Sequence, residues 1–171
     1  MIEIVAKEVL SDVEKDGIRE VLFACSDEFF PPLSQRNSSV LSDMKGALIS
    51  EEKPYSYLAE MLKQKFILAK KDEKVVGFMT FKEKYSCDAL KSVENSTYIT
   101  TICVFEEYRG SSISRKMYDL IETMYDITST RTWSTNDAHI HILQKRGYNL
   151  HSRLIDDRAK GIDTVYFVRK N

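Results

Sequence analysis

The segment Tyr98 to Asp126, YITTICVFEEYRGSSISRKMYDLIETMYD, constrains this chain more than any other, because an apolar β-type run passes through one Arg-Gly-Ser-Ser turn directly into an amphipathic helical pattern. That order leaves the unpaired N–H groups of the first helical turn, and the positive end of the macrodipole, facing the turn. A phosphate fits such a place. Arg115 and Lys116 stand in the predicted first turn, where cations are unfavourable unless a bound anion offsets them. A solvated basic turn is the alternative. Along the helix, Ile113, Met117, Leu120, Ile121 and Met124 recur at helical spacing, which predicts a face on a sheet with Arg115, Lys116, Asp119 and Glu122 in water.

The remaining pattern alternates in the same way. Ile2 to Ala6 reads as a short strand, and DVEKDGIREVLFACSDEFF as helical over its middle, with Val13, Ile18, Val21 and Leu22 as an uneven apolar stripe ended by Pro31 and Pro32. LSQRNSSVLSDMKGA is expected to be a loop with at most a short helix, and YSYLAEMLKQK a second helix starting near Pro54. FILAKKD and KVVGFMTFKE form a predicted hairpin around Lys71 to Glu73, and a polar connection from Tyr85 to Asn95 precedes the strand STYITTICVF. TRTWST is the next strand, DAHIHILQKR a helix capped by Gly147, and YNLHSRLID and DTVYFVRK two closing strands about Lys160 and Gly161. The expectation is an α/β fold in one domain, residues 1–171, with a mixed sheet and no repeats.

Several function classes fall away on composition. The 25 basic and 26 acidic residues leave a formal net charge of −1 with no basic run or aromatic-basic stripe, so nucleic acid has no electrostatic footprint here. Charges in MIEIVAKEVLSD interrupt what a signal peptide would need, no stretch is long enough for a membrane helix, and a cytoplasmic location is expected. Cys25, Cys87 and Cys103 are odd in number and far apart, which argues against a disulfide framework and a zinc knuckle. Cys103 is expected to be a small buried hydrophobe. His141 lies on another helical face from His139, and His151 falls on a strand, so no metal is expected.

The strand-turn-helix segment resembles motif A of the GNAT acyltransferases, in which Arg or Gln, two residues, Gly, one residue, then Gly or Ala open a helix over the pyrophosphate of acetyl-CoA. Arg109 matches the first position, while Ser112 and Ser114 stand at the Gly and Gly or Ala positions. Ser tolerates positive φ poorly, which predicts a differently shaped turn at Ser112. TRTWSTNDAHIHILQKRGYNL resembles the second half of the family, with Asn136 and Gly147 at the family spacing and Tyr148 at the aromatic position. The resemblance covers nearly the whole chain. It implies a mixed, mostly antiparallel central sheet flanked by helices and splayed at the cofactor site, with acetyl-CoA as cosubstrate and no metal.

What the resemblance implies for residues is specific. Backbone groups of Ile102 and Val104 would meet the pantetheine arm and polarise the thioester carbonyl. Arg109, Gly110, Ser111, Ser112, Ile113 and Ser114 would hold the phosphates, and Asn136 would complete the cofactor set. Between Glu94 and Glu106 the chain lacks the carboxylate that many members use as base, and Leu143 stands where the family's Tyr acid usually lies. Substitute proton carriers are Tyr98, at roughly the position of the Glu, and His139, one turn before Leu143 and expected to titrate near about 6.5; a capping or surface His is the alternative. Attack by a free amine through positioning alone is a third route.

The acceptor is expected at SDEFFPPLSQR, with Asp27 and Glu28 attracting a cationic amine, Phe29 and Phe30 lining its carbon skeleton, and Tyr55 and Tyr57 assisting. The alternative makes the aromatics core and the acids a solvated helix end. The expected function is therefore acetyl transfer to a primary amine of a small molecule or peptide, without nucleic acid or membrane partners and with a homodimer left open. The rival is a CoA-binding regulatory or interaction module of the same fold.

Overall fold

The structure, a computed structural model, describes residues 1–36 and 51–171. Most of LSQRNSSVLSDMKGA therefore lies outside the described residues. The elements run β1 (Ile2–Lys7), α1 (Asp12–Cys25), α2 (Tyr55–Met61), β2 (Lys65–Lys71), β3 (Lys74–Lys82), β4 (Thr97–Val104), α3 (Ile113–Met124), β5 (Ile127–Trp133), α4 (Asp137–Lys145), β6 (Asn149–Ala159) and β7 (Ile162–Lys170). Short 3-10 turns occupy Ser26–Glu28, Leu33–Gln35, Asp88–Leu90 and Glu106–Tyr108.

The strands form one seven-stranded sheet in the order β1-β2-β3-β4-β5-β7-β6. Every neighbouring pair is antiparallel except β4 and β5. This is the mixed, mostly antiparallel sheet that the resemblance implied. β4 and β5 pair only through Thr97↔Thr128, Tyr98↔Ser129 and Ile99↔Thr130. Beyond those three pairs β4 continues to Val104 and β5 to Trp133 with no rung between them, so the sheet splays at its centre.

Each face of the sheet has its own core. α3 places Ile113, Met117, Tyr118 and Ile121 on Ile67, Val76, Met79 and Ile99, and α4 adds Leu143. On the opposite face α1 and α2 pack Ile18, Val21, Leu22, Tyr57 and Met61 over Phe66, Leu68 and Phe78. Ser11 caps α1 by accepting from the Glu14 N–H at 3.2 Å, while Glu14 accepts from the Ser11 N–H at 2.9 Å. Gly147 ends α4 at φ +85° with Tyr148 N–H donating to Leu143 carbonyl at 3.0 Å, as the sequence predicted.

Three packing expectations need correction. Val13 is 73% exposed and not part of the α1 stripe, because the contact face runs through Ile18, Val21, Leu22 and Cys25. Met124 projects into solvent at the end of α3. Glu122 does not face water: its carboxylate accepts Arg146 Nε at 2.8 Å and Nη2 at 2.7 Å, tying the end of α4 to α3. Single-helix periodicity places residues on a face but does not say what a second helix brings to it.

Candidate active site

The site grows out of the splay. Thr80 faces Thr101 and Phe81 faces Ile99, so Thr100 is an extra residue in β4, a bulge. A bulge reverses which side the backbone groups point to. Before it, the Ile99 carbonyl points to β5 and accepts Thr130 Oγ1 at 3.1 Å. After it, Phe105 N–H donates to Val76 carbonyl on β3 at 3.0 Å, and by alternation Thr101 and Cys103 also turn to β3. Ile102 and Val104 thereby direct their N–H and C=O groups into the splay. Gly77 permits this closeness: a Cβ there would lie 3.0 Å from Cys103 carbonyl and 3.1 Å from Val104 Cγ2.

At the far end of β4 the chain turns through Gly110 at φ +80° and Ser112 at φ 59°, both left-handed. Ser112 thus takes the conformation for which Ser is a poor choice, and the turn keeps the shape that a Gly would give. The first helical bond of α3 is Lys116 N–H to Ser112 carbonyl at 3.0 Å, which leaves the N–H groups of Ile113, Ser114 and Arg115 outside the helical ladder. A Cβ placed on Gly110 would meet nothing within 4 Å, so there is room beside the turn. Open strand edge, exposed helix N-terminus and space beside them fit an elongated thiol cofactor with a phosphate end.

Between these parts lies a cavity of about 440 Å³, walled by β4 from Ile99 to Val104, by β5 from Thr130 to Trp133, by Ser114 and Asn136, and by Cys25, Glu28 and Phe29. Asn136 caps α4, accepting His139 N–H at 3.4 Å and donating to Thr132 Oγ1 at 2.9 Å. Gly110, Ser111, Ser112 and Ile113 are not part of this wall, and the Ile113 side chain is buried in the core. Arg109 reaches the wall with its guanidinium engaged: Nη2 sits 2.6 and 2.8 Å from the Glu28 carboxylate oxygens, and Nε and Nη2 each lie 3.2 Å from Val104 carbonyl. In this arrangement the Arg109 side chain clamps the end of β4 to the loop after α1, and both partners of the ion pair remain about half exposed.

The expected acceptor residues divide. Phe29 is on the cavity wall, its ring centroid 6.3 Å from that of Trp133. Glu28 is also there, but its carboxylate is held by Arg109, so it does not stand ready for a cationic amine. Asp27 is exposed and off the wall. Phe30 contributes its carbonyl, which accepts Arg158 Nη1 at 2.7 Å, and not its ring. Tyr57 is buried with its hydroxyl 2.6 Å from Thr101 Oγ1, and Tyr55 packs edge-on to Phe23.

The two proton carriers also divide. Tyr98 is a correction: it is buried between Tyr85, stacked at 4.5 Å, and Tyr166 at 6.4 Å, away from the cavity wall, and burial pushes its phenol well above the ordinary value. His139 does reach the wall, with Nε2 3.0 Å from Tyr118 hydroxyl. Burial pulls its pKa down to about 4, so the imidazole is neutral where the sequence reading expected titration near about 6.5. Leu143 is wholly buried. Cys103 is buried as expected, and its contact with Cys25 lowers the Cys25 thiol, which also lies 3.6 Å from Val104 carbonyl. Arg36, Arg131 and Arg158, which no local pattern singled out, share the cavity wall with them.

Known proteins carry the same architecture. The Acetyltransferase (GNAT) family matches residues 35–148. The SPbeta prophage-derived uncharacterized N-acetyltransferase YokL of Bacillus subtilis (strain 168) is 27% identical over 96 residues, 53% of this chain, and the match spans 50% of that relative. PH1933 from Pyrococcus horikoshii OT3 superposes with a TM-score of 0.69 at 18% identity, covering 100% of this chain and 99% of the other. A chain of the NatC complex bound to Gag peptide and CoA superposes at 0.63 with 17% identity, covering 99% of each. With two thirds of its length matched by the family model and its whole length superposing on a solved structure, the chain belongs to the GNAT family of acetyltransferases.

Proposed function

We propose that this protein is an acetyl-CoA-dependent N-acyltransferase, its 171 residues acting as a single domain, that moves an acetyl group to a primary amine of a small molecule or peptide by direct attack in a ternary complex. The observation that carries the reading is the bulge at Thr100, which turns Ile102 and Val104 toward the splay at the point where the sheet opens beside an exposed helix N-terminus. Acetyl-CoA supplies the thioester. Backbone groups of Ile102 and Val104 align its arm and polarise the carbonyl, and the N–H groups of Gly110 to Ser114 receive its phosphates. Asn136 orders the facing wall through its contacts to Thr132 and α4. The relatives support the cosubstrate, since a CoA-bound complex is among the similar structures. We assign the protein to the cytoplasm on its free cysteines; no helix among the described residues is long and apolar enough to cross a membrane.

Deprotonation of the amine is assigned to water, because Tyr98 is sealed in the core and His139 is neutral and weakly basic. Positioning supplies the rate, to which about 7 to 11 kcal/mol is open in well-aligned systems. The same absence of a proton carrier favours the second reading, a CoA-binding module without turnover. Calorimetric binding of acetyl-CoA followed by thiol release over an amine panel separates them. Binding with amine-dependent thiol release is expected. Binding without release on any amine supports the module, and no binding overturns both.

A further inference from the structure

Three arginines from distant parts of the chain meet on one wall of the cavity. Arg36 follows the turn Leu33–Gln35, Arg131 stands in β5 and Arg158 in β6. Arg36 is 4% exposed and Arg158 9%. The hydrogen bonds of Arg36 and Arg158 go to neutral groups. Arg36 donates from Nε and Nη2 to Pro31 carbonyl at 2.9 and 2.6 Å. Arg158 donates from Nε to Thr164 Oγ1 at 2.8 Å and from Nη1 to Phe30 carbonyl at 2.7 Å, and Arg131 donates from Nη1 to Tyr166 hydroxyl at 3.3 Å.

Among the described residues, the nearby carboxylates Glu28 and Asp163 are committed elsewhere. Glu28 is held by Arg109, and Asp163 pairs with Arg153 at 3.1 Å. Asp157, adjacent to Arg158 in sequence, accepts Thr164 Oγ1 at 2.5 Å and adds negative charge near the cluster. Arg36 and Arg158 form no ion pair with any described residue. Burial and repulsion from Arg131 bring the Arg36 pKa down to about 10, and burial with repulsion from Arg36 and Arg131 brings Arg158 to about 9. Both stay charged at neutral pH. Cations are seldom fully buried without a counter-charge, and setting Arg36 and Arg158 together beside a third guanidinium raises the cost further, so the arrangement is one that a bound anion would relieve.

The anion is not expected to be the cofactor's phosphate end. None of these arginines belongs to the Gly110–Ser114 turn; they come from the loop after α1 and from β5 and β6, beside Phe29 and Trp133 on the acceptor side. Arg36 also holds its guanidinium carbon 5.8 Å from the Phe29 ring centroid, which fixes the fork against the wall. We propose that Arg36, Arg131 and Arg158 form a carboxylate-binding subsite, so that the acceptor is a small amine that carries a carboxylate, an amino acid in the broad sense. The planar guanidinium fork matches a carboxylate in two-point contact, and a cavity of about 440 Å³ that must also admit the acyl end of the cofactor leaves space for a short chain between amine and acid.

The proposal rests on the acyltransferase reading, and the experiment keeps the two apart. Acetyl-CoA binding is measured first by calorimetry. Thiol release is then followed with β-alanine, 4-aminobutyrate and 5-aminopentanoate, each beside its carboxamide, and with O-phosphoethanolamine. At least one amino acid is expected to exceed its carboxamide by about tenfold or more in kcat/KM, the scale of a charge-assisted contact. In Arg158→Gln and in Arg36→Gln that ratio should fall towards one. Calorimetry with the same amino acid should show weaker binding to both variants, a readout independent of turnover. Circular dichroism confirms folding, and Arg158→Lys, which keeps the charge and loses the fork, should retain part of the ratio. Failure to bind acetyl-CoA refutes the acyltransferase reading itself. Binding with carboxamides used as well as the acids, or a ratio unchanged in the folded glutamine variants, overturns the subsite alone, and a preference for the phosphomonoester overturns the choice of carboxylate.

Discussion

His139 concentrates the residue-scale chemistry. Its Nε2 meets Tyr118 hydroxyl, and burial lowers its pKa to about 4. In the unfolded chain the same side chain titrates near about 6.5, so between those values the unfolded state binds more protons and folding stability falls as pH is lowered. Above pH 6.5 neither state is protonated and the contribution is flat. Because His139 is only half-buried at its surface, the loss is set at about 2 kcal/mol by pH 4, below the full value of the shift. Urea midpoints between pH 4 and 7 are expected to drop in the parent and to flatten in His139→Gln. The rate carries a second signature: between pH 6 and 9, kcat/KM should follow only the ionisation of the acceptor amine. A separate limb near 6.5, removed by His139→Gln, would show that the imidazole moves the proton after all. Reading the sequence alone placed His139 on the right helical face but not its environment, since the burial comes from Tyr118 on α3 and from a cavity wall assembled by other segments.

Elements make the splay, and here the sequence was more informative. The run from β4 through the turn into α3 was visible because strand and helix periods differ and Gly110 marks the change. Hidden was the bulge at Thr100, since nothing in TYITTICV announces an extra residue; only pairing with β3 reveals it. Hidden too was the meeting of Arg36, Arg131 and Arg158, whose segments have no common spacing. Gly77 links the visible to the hidden. It reads as an ordinary residue in VVGFMT, yet a methyl group there would press on Cys103 carbonyl and Val104 Cγ2 at 3.0 and 3.1 Å, displacing the end of β4 that forms the cofactor edge. Gly77→Ala is expected to lower stability by about 1 to 3 kcal/mol through overpacking and to weaken acetyl-CoA binding more than a comparable insertion far from β4. Gly17→Ala is the control: its Cβ would lie 2.9 Å from Val75 Cβ, so it stresses the contact of α1 with β3. Equal loss of cofactor affinity in both variants would mean that general destabilisation, and not the edge of β4, sets affinity.

At the scale of the whole molecule the sheet is two arms joined at a narrow waist. One arm is β1-β2-β3-β4 and the other β5-β7-β6, and among the described residues they pair through Thr97–Ile99 with Thr128–Thr130. Around the waist Ser96 and Ser129 hydroxyls lie 2.5 Å apart and Thr130 Oγ1 reaches Ile99 carbonyl, while α3 packs across it. A ligand seated in the splay occupies the gap between the arms and adds the contacts that strand pairing omits. Binding to the folded state at a hundredfold excess over the dissociation constant adds about 2.7 kcal/mol, which corresponds to roughly a hundredfold slowing of exchange for amides that exchange through opening of the site. Hydrogen exchange with saturating acetyl-CoA should therefore slow at Ile102 and Val104, at Gly110 to Ser114, and on the facing end of β5 from Arg131 to Trp133. Amides of β1 that open locally at the outer edge should change little, because no ligand contact reaches them. Protection confined to β4 and the turn, with β5 unaffected, would mean that the cofactor lies along one arm without bridging the splay, and the assignment of the β5 wall to the acceptor alone would follow.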